Sequence, residues 1–126
     1  MHIIFGQDQA NIIRQNHTVL ELDTFRFMPK DVIQTAYTVL ENIPIEDLPK
    51  LSFQKDLHHN LIENYRKGDW NFCEQAIEQL IGAFGGEVDT FYADLQTRID
   101  NYKNNDPGQF WNPVIERTVT GDSPES

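Results

Sequence analysis

The chain has 126 residues, 20 Asp+Glu against 10 Lys+Arg, a formal net charge of −10 and one cysteine. That length is enough for one domain that buries its own core without disulfide or metal staples. The acidic balance excludes a direct nucleic-acid binder or a binder of anionic membranes, since either would need a basic face.

His2–Phe5 is a brief β-prone run closed by Gly6, and Asp8 is placed to cap a short helix reaching Arg14, with Ile12 and Ile13 on its apolar side. Residues 18–27 and 33–40 are rich in β-branched and aromatic side chains. The turn chemistry of Met28-Pro29-Lys30-Asp31 lies between them, which predicts an antiparallel hairpin. On its second strand Ile33, Thr35, Tyr37 and Val39 share a face. On its first, Val19 shares a face with Phe25 and Phe27, while Leu20 and Leu22 point the other way. That switch requires cover on both faces or a bulge near Asp23.

Pro44 and Pro49 bracket a connector, after which the apolar period becomes helical. Leu57, Leu61 and Tyr65, widened by Ile62, form a stripe interrupted at Gly68-Asp69. Phe72, Cys73, Ala76, Ile77, Leu80, Ile81 and Phe84 form a second, closed by Gly85-Gly86 as a C-cap. Val88, Phe91, Leu95, Ile99 and Tyr102 form a third, ended by Asn104-Asn105-Asp106-Pro107-Gly108. The seven apolar side chains of the middle helix make it the core element, between the other two. The expected class is α+β: an N-terminal antiparallel β-hairpin with a short strand and helix, packed on a three-helix unit. Residues 1–117 form one domain, β-rich over 1–43 and helical over 44–117, and 118–126 are expected to be a disordered tail.

The N-terminus carries no basic, extended apolar leader, and no stretch is long enough to span a bilayer, so a cytoplasmic protein without membrane association is expected. The single Cys73 permits no intrachain disulfide. Cys73 lies on an apolar stripe at a small-residue position, which favours packing over nucleophilic chemistry. His59, Glu63 and Asp56 share a helix face and offer half of a metal site, the basis for a small metal-dependent enzyme. The same three residues read more simply as the solvated face opposite Leu57 and Leu61. His2, His17 and His58 have no partners at ligand spacing, and no motif calls for a cofactor.

The segment Asn64-Tyr65-Arg66-Lys67-Gly68-Asp69-Trp70, followed by Cys73, Ile77 and Leu80, resembles a tetratricopeptide-type helical hairpin. Gly68 stands at the turn, Trp70 at the aromatic position after it and Cys73 at the small position that lets the helices approach. Leu80 departs from the pattern, being larger than the usual Ala. Only one repeat plus the following helix is present, and a lone repeat cannot bury its own faces. The resemblance therefore implies cover from the N-terminal hairpin or from a second subunit in a homodimer. Met1-His2-Ile3-Ile4-Phe5-Gly6, Leu22-Asp23-Thr24-Phe25-Arg26-Phe27 and Glu41-Asn42-Ile43-Pro44 resemble small acidic proteins of marine tailed phages of cyanobacteria. That likeness implies a site of action in the host cytoplasm.

These features predict a non-enzymatic module that binds a protein or peptide, with Trp70, Phe110 and Trp111 as candidate aromatic anchors. The alternative is an acidic inhibitor that mimics nucleic acid on a host protein, which requires a continuous acidic patch.

Overall fold

A computed structural model describes residues 1–118. The chain forms β1 (His2–Phe5), α1 (Gln7–Ile13), β2 (Thr18–Met28), β3 (Val32–Leu40), α2 (Leu51–Lys67), α3 (Trp70–Leu80), α4 (Asp89–Asn104) and β4 (Ile115–Thr118). Three 3₁₀ turns, Ile45–Lys50, Ala83–Gly86 and Gly108–Phe110, link the later elements. The class is α+β.

The hairpin is β2 and β3, and β1 adds antiparallel to the other side of β3. The register slips between Glu21 and Thr24, where β2 advances three residues while β3 advances two. This one-residue bulge, at the position where the apolar parity switches, reconciles the two halves of β2. Before it, Leu20 and Leu22 join Ala36 and Leu40 in the main core with the helices, while Val19 turns to the opposite face with Tyr37 and Val39. After it, Phe25 packs on the main core despite its odd number. Phe25 also stacks on Phe27 (5.8 Å between ring centroids) and meets the edge of Phe5.

Helix α1 covers the second face of the sheet through Ala10 and Ile13. Its details differ from the sequence expectation. Gly6, at φ 94°, holds the N-cap position and Asp8 falls inside the first turn, while Ile12 is exposed. A seven-residue helix has room for one buried line of contact, and Ala10 and Ile13, three apart, take it.

Two corrections concern the C-terminal half. Helix α3 ends at Leu80, one turn before the expected Gly85-Gly86 cap, because Ile81 is extended and Gly82 turns the backbone left-handed at φ 87°. Phe84 is still fully buried, but from the following 3₁₀ turn. The seven apolar residues assigned to one helix therefore reduce to four buried ones, Cys73, Ala76, Ile77 and Leu80. Helix α3 does touch both α2 and α4. Its far side carries exposed Gln75, Glu78 and Gln79, so it is a surface helix with one buried face.

The second correction is β4, which lies inside the part expected to be helical. Residues 115–118 pair in parallel with 25–28 of β2, giving the sheet order β1-β3-β2-β4. Of the tail expected over 118–126, Thr118 ends β4 and the remainder lies outside the described residues. The exposed side of the helical hairpin is covered from within the chain, by the sheet face carrying Leu20, Leu22, Ala36 and Leu40.

Candidate functional site

The α2–α3 turn gathers the aromatic residues that the sequence singles out. Gly68 ends α2 in the left-handed conformation (φ 78°), and the Asp69 carboxylate caps α3 by accepting from the Phe72 amide at 3.1 Å. A side chain with a Cβ is strained at that φ, which is the reason for glycine there. The reversal places Trp70 at the start of α3 against Tyr65 of α2 and Tyr102 of α4.

Trp111 closes the group from the C-terminal segment. Its indole N–H donates to the carbonyls of Tyr65 (3.1 Å) and Arg66 (3.0 Å) at the end of α2, where the Tyr65 carbonyl also accepts from the Gly68 amide. Its ring lies 4.8 Å from both Trp70 and Tyr102 and 5.1 Å from Tyr65, each in edge-to-face geometry. Trp70, Trp111, Tyr65 and Tyr102 thus form one partly buried aromatic block. Phe110, the third candidate anchor, is not part of it. It turns outward at the end of the last 3₁₀ turn and is 83% exposed. Beside the block lies a surface depression of about 300 Å³ lined by Trp70, Tyr102, Asn71, Lys103, Asp69 and Asp106.

From that depression the seam between α3 and α4 continues along the surface. Lys103 bridges Glu74 and Asn71 across it, and Gln96 donates to Asp100 and to Glu74. Past this polar bridge the seam opens into a second depression of about 490 Å³, lined by Glu74, Ile77, Glu78, Ile81, Ala93 and Gln96. Ile81 is half exposed there.

Between the sheet and the helices, two polar side chains, His58 and Arg98, link the elements. His58 is 2% exposed, and its Nε2 lies 2.6 Å from the Glu21 carbonyl while its Nδ1 lies 2.7 Å from the Tyr92 hydroxyl. The carbonyl can only accept, so Nε2 carries the proton and Nδ1 accepts from Tyr92. This is the neutral tautomer, in keeping with burial, which lowers the His58 pKa to about 4. Burial likewise raises the pKa of Tyr92, keeping its hydroxyl a donor.

Arg98 of α4 forms a two-pronged pair with Asp23 at the bulge, at 2.8 and 3.0 Å, and reaches Asp94 and the Tyr65 hydroxyl. Burial opposes the Arg98 charge, and the hydrogen bond and charge of Asp23 more than offset this, raising its pKa above the ordinary guanidinium value.

The other candidates fall on ordinary surface or core. His59 and Asp56 are exposed, and Glu63 is engaged by Arg66 at 3.1 Å. Among the described residues no three His, Cys, Asp or Glu side chains are arranged to hold a metal. Cys73 is buried, its Sγ 3.8 Å from the Leu61 carbonyl, and burial together with Asp69 and Glu74 pushes its thiol up to about 12. His58, set aside in the sequence for want of ligand-spaced partners, is the buried histidine. Its position three before Leu61, four before Ile62 and seven before Tyr65 was the available signal.

No family model, no curated protein and no solved structure matches the chain.

Proposed function

We propose that the protein is a non-enzymatic interaction module that binds a protein or peptide through its helical half, at the end marked by Trp70, Phe110 and Trp111. The observation that carries this reading is Phe110, an aromatic side chain 83% exposed and next in sequence to Trp111 of the aromatic block, which itself borders a depression of about 300 Å³ through Trp70 and Tyr102. An exposed aromatic offers a large apolar area to bury on docking, which is what interface anchors supply. Gly68 makes the α2–α3 turn, Trp70 follows the Asp69 cap and Cys73 lies buried near the Leu61 carbonyl, an arrangement that supports the tetratricopeptide likeness. The phage likeness points to a host protein as partner.

The acidic-mimic reading has less support. A mimic needs a row of free carboxylates, whereas Glu21 and Glu63 face Arg66, Asp23 and Asp94 face Arg98, Asp31 faces Arg26 and Glu74 faces Lys103.

The test is selection of peptides from an unbiased display library against the full chain, followed by titration of the selected peptides into wild type and Phe110→Ser. Binding weakened about tenfold or more by Phe110→Ser, the size of an anchor loss, supports the reading. An absence of enriched peptides, or binding indifferent to this substitution, overturns it.

A further inference from the structure

The α3–α4 seam offers a groove with a defined chemistry. Its floor is aliphatic, made by Ile77 and Ala93 with Ile81 standing half exposed at one end, and its volume is about 490 Å³. Its rim is acidic: Glu74 and Glu78 stand on the α3 side, and the neutral Gln96 stands on the α4 side. From Asp69 to Asp100 the chain carries seven carboxylates and one base, Arg98. Asp23 holds that base toward the sheet, away from the groove. Lys103 sits at the far end of the seam, committed to Glu74 and Asn71. Glu78 is exposed and makes no ion pair among the described residues.

An apolar floor with a negative rim selects an apolar segment flanked by cations. The form of that segment follows from the walls. Both are helices whose backbone groups are already paired, so an extended peptide would find no main-chain partners there. A helical segment satisfies its own backbone and presents apolar side chains at i, i+3 and i+4 to a groove between two helices.

We propose that the α3–α4 groove binds a basic amphipathic helix of a partner protein, with aliphatic side chains on Ile77, Ile81 and Ala93 and Lys or Arg against Glu78. The proposal rests on the reading of the helical half as an interaction module, and it names the chemical class of the partner. The groove lies beyond the Lys103–Glu74 bridge from the Trp70 and Tyr102 end of the seam.

The experiment is a titration of the full ¹⁵N-labelled chain with two designed helical peptides. They share one Leu-rich face and differ in carrying Lys or Glu on its flanks. The Lys peptide is expected to shift the amides of Glu78, Ile81, Ala93 and Gln96 and to bind more weakly as salt rises. Glu78→Lys, a surface change, should weaken it about three- to fivefold, and Ile81→Asp should weaken it at least as much. Equal binding of the Glu peptide at these amides overturns the basic specificity while leaving an interaction module in place. Shifts confined to other surfaces overturn the groove. Failure of both designed peptides, with library peptides still binding at Phe110, refutes this inference alone; failure of both peptide sets refutes it together with the function.

Discussion

The Nδ1 of His58 accepts a hydrogen bond from the Tyr92 hydroxyl at 2.7 Å, while its Nε2–H donates to the carbonyl of Glu21. One imidazole thereby ties α2 to α4 and to the first half of β2, and burial keeps it neutral while it does so. In the unfolded chain the same ring takes up a proton near pH 6.5, whereas burial holds the folded value at about 4. Between those values the unfolded state binds a proton that the folded state does not. The stability contributed by this group is therefore complete above about pH 6.5, falls as pH drops, and levels off below about pH 4. The full effect is about 3 kcal/mol. Urea denaturation at pH 7 and pH 5, with the His58 ring followed by NMR, checks it. A His58 ring that titrates near pH 6.5 in the folded protein would sink the prediction.

The Arg98–Asp23 pair is the second link across the same interface, and it fixes the bulge to α4. The Asp23 side chain is 12% exposed, so losing its partner leaves a nearly buried carboxylate with a charge and no cation. Arg98→Ala is expected to cost about 3 kcal/mol. Arg98→Lys should recover part of this, because an ammonium cannot match the two-pronged geometry. Pairing Arg98→Met with Asp23→Leu should restore more than the lysine does, since it removes both charges. Equilibrium denaturation of the four proteins decides it, and a loss under about 1 kcal/mol in Arg98→Ala would show that the pair contributes little.

Much of this interface was visible in the sequence, but only as apolar pattern. The exchange of Leu20 and Leu22 for Phe25 and Phe27 on one face marked the bulge near Asp23, since alternation is a local property of a strand. Gly68 marked the α2–α3 turn and so brought Trp70 to the right place. The end of α3 was hidden because Phe84 keeps helical spacing from Ile77 and Leu80 although Gly82 has already broken the helix. Residues 115–118 gave no strand signal. A four-residue parallel edge strand with one large apolar side chain shows too little alternation, and its partner lies about ninety residues earlier. His58 escaped because a stripe counts hydrophobes, and its acceptor and donor come from the distant Glu21 and Tyr92. The packing of Trp111 on Trp70 likewise depends on a segment returning past the end of α4, which no periodicity encodes.

The aromatic block should behave as structure in its own right, apart from any binding role. Trp111→Phe keeps a ring in place but removes the N–H that serves the Tyr65 and Arg66 carbonyls, an expected loss of about 1–2 kcal/mol. Gly68→Ala tests the turn beneath it. A Cβ there would meet Trp111 and Trp70 at 3.5 and 3.6 Å, ordinary contact distances, so the penalty is the backbone strain at φ 78°, about 1 kcal/mol. Phe110→Ser, by contrast, should change stability by less than about 0.5 kcal/mol, because that side chain is 83% exposed. Thermal and urea unfolding of the three variants separates the platform from its outward aromatic. A Phe110→Ser protein as destabilised as Trp111→Phe would place Phe110 in the packing after all.

Cys73 gives a direct readout of how closely α2 and α3 approach. Its Sγ faces the Leu61 carbonyl at 3.8 Å with no exposed surface, and its thiol is pushed up to about 12 by burial first and by Asp69 and Glu74 second. At pH 8 only about one thiol in ten thousand would then be ionised, and the thiolate is the reacting form. The folded protein should resist a thiol-specific aromatic disulfide reagent at pH 8, and one thiol per chain should react once urea unfolds it. Substitution by Ala should be tolerated at a cost of about 1 kcal/mol, whereas Leu would push the helices apart and destabilise by more. Rapid labelling of the native chain would mean that α2 and α3 separate easily, and the aromatic block above Gly68 would then lose its rigid base.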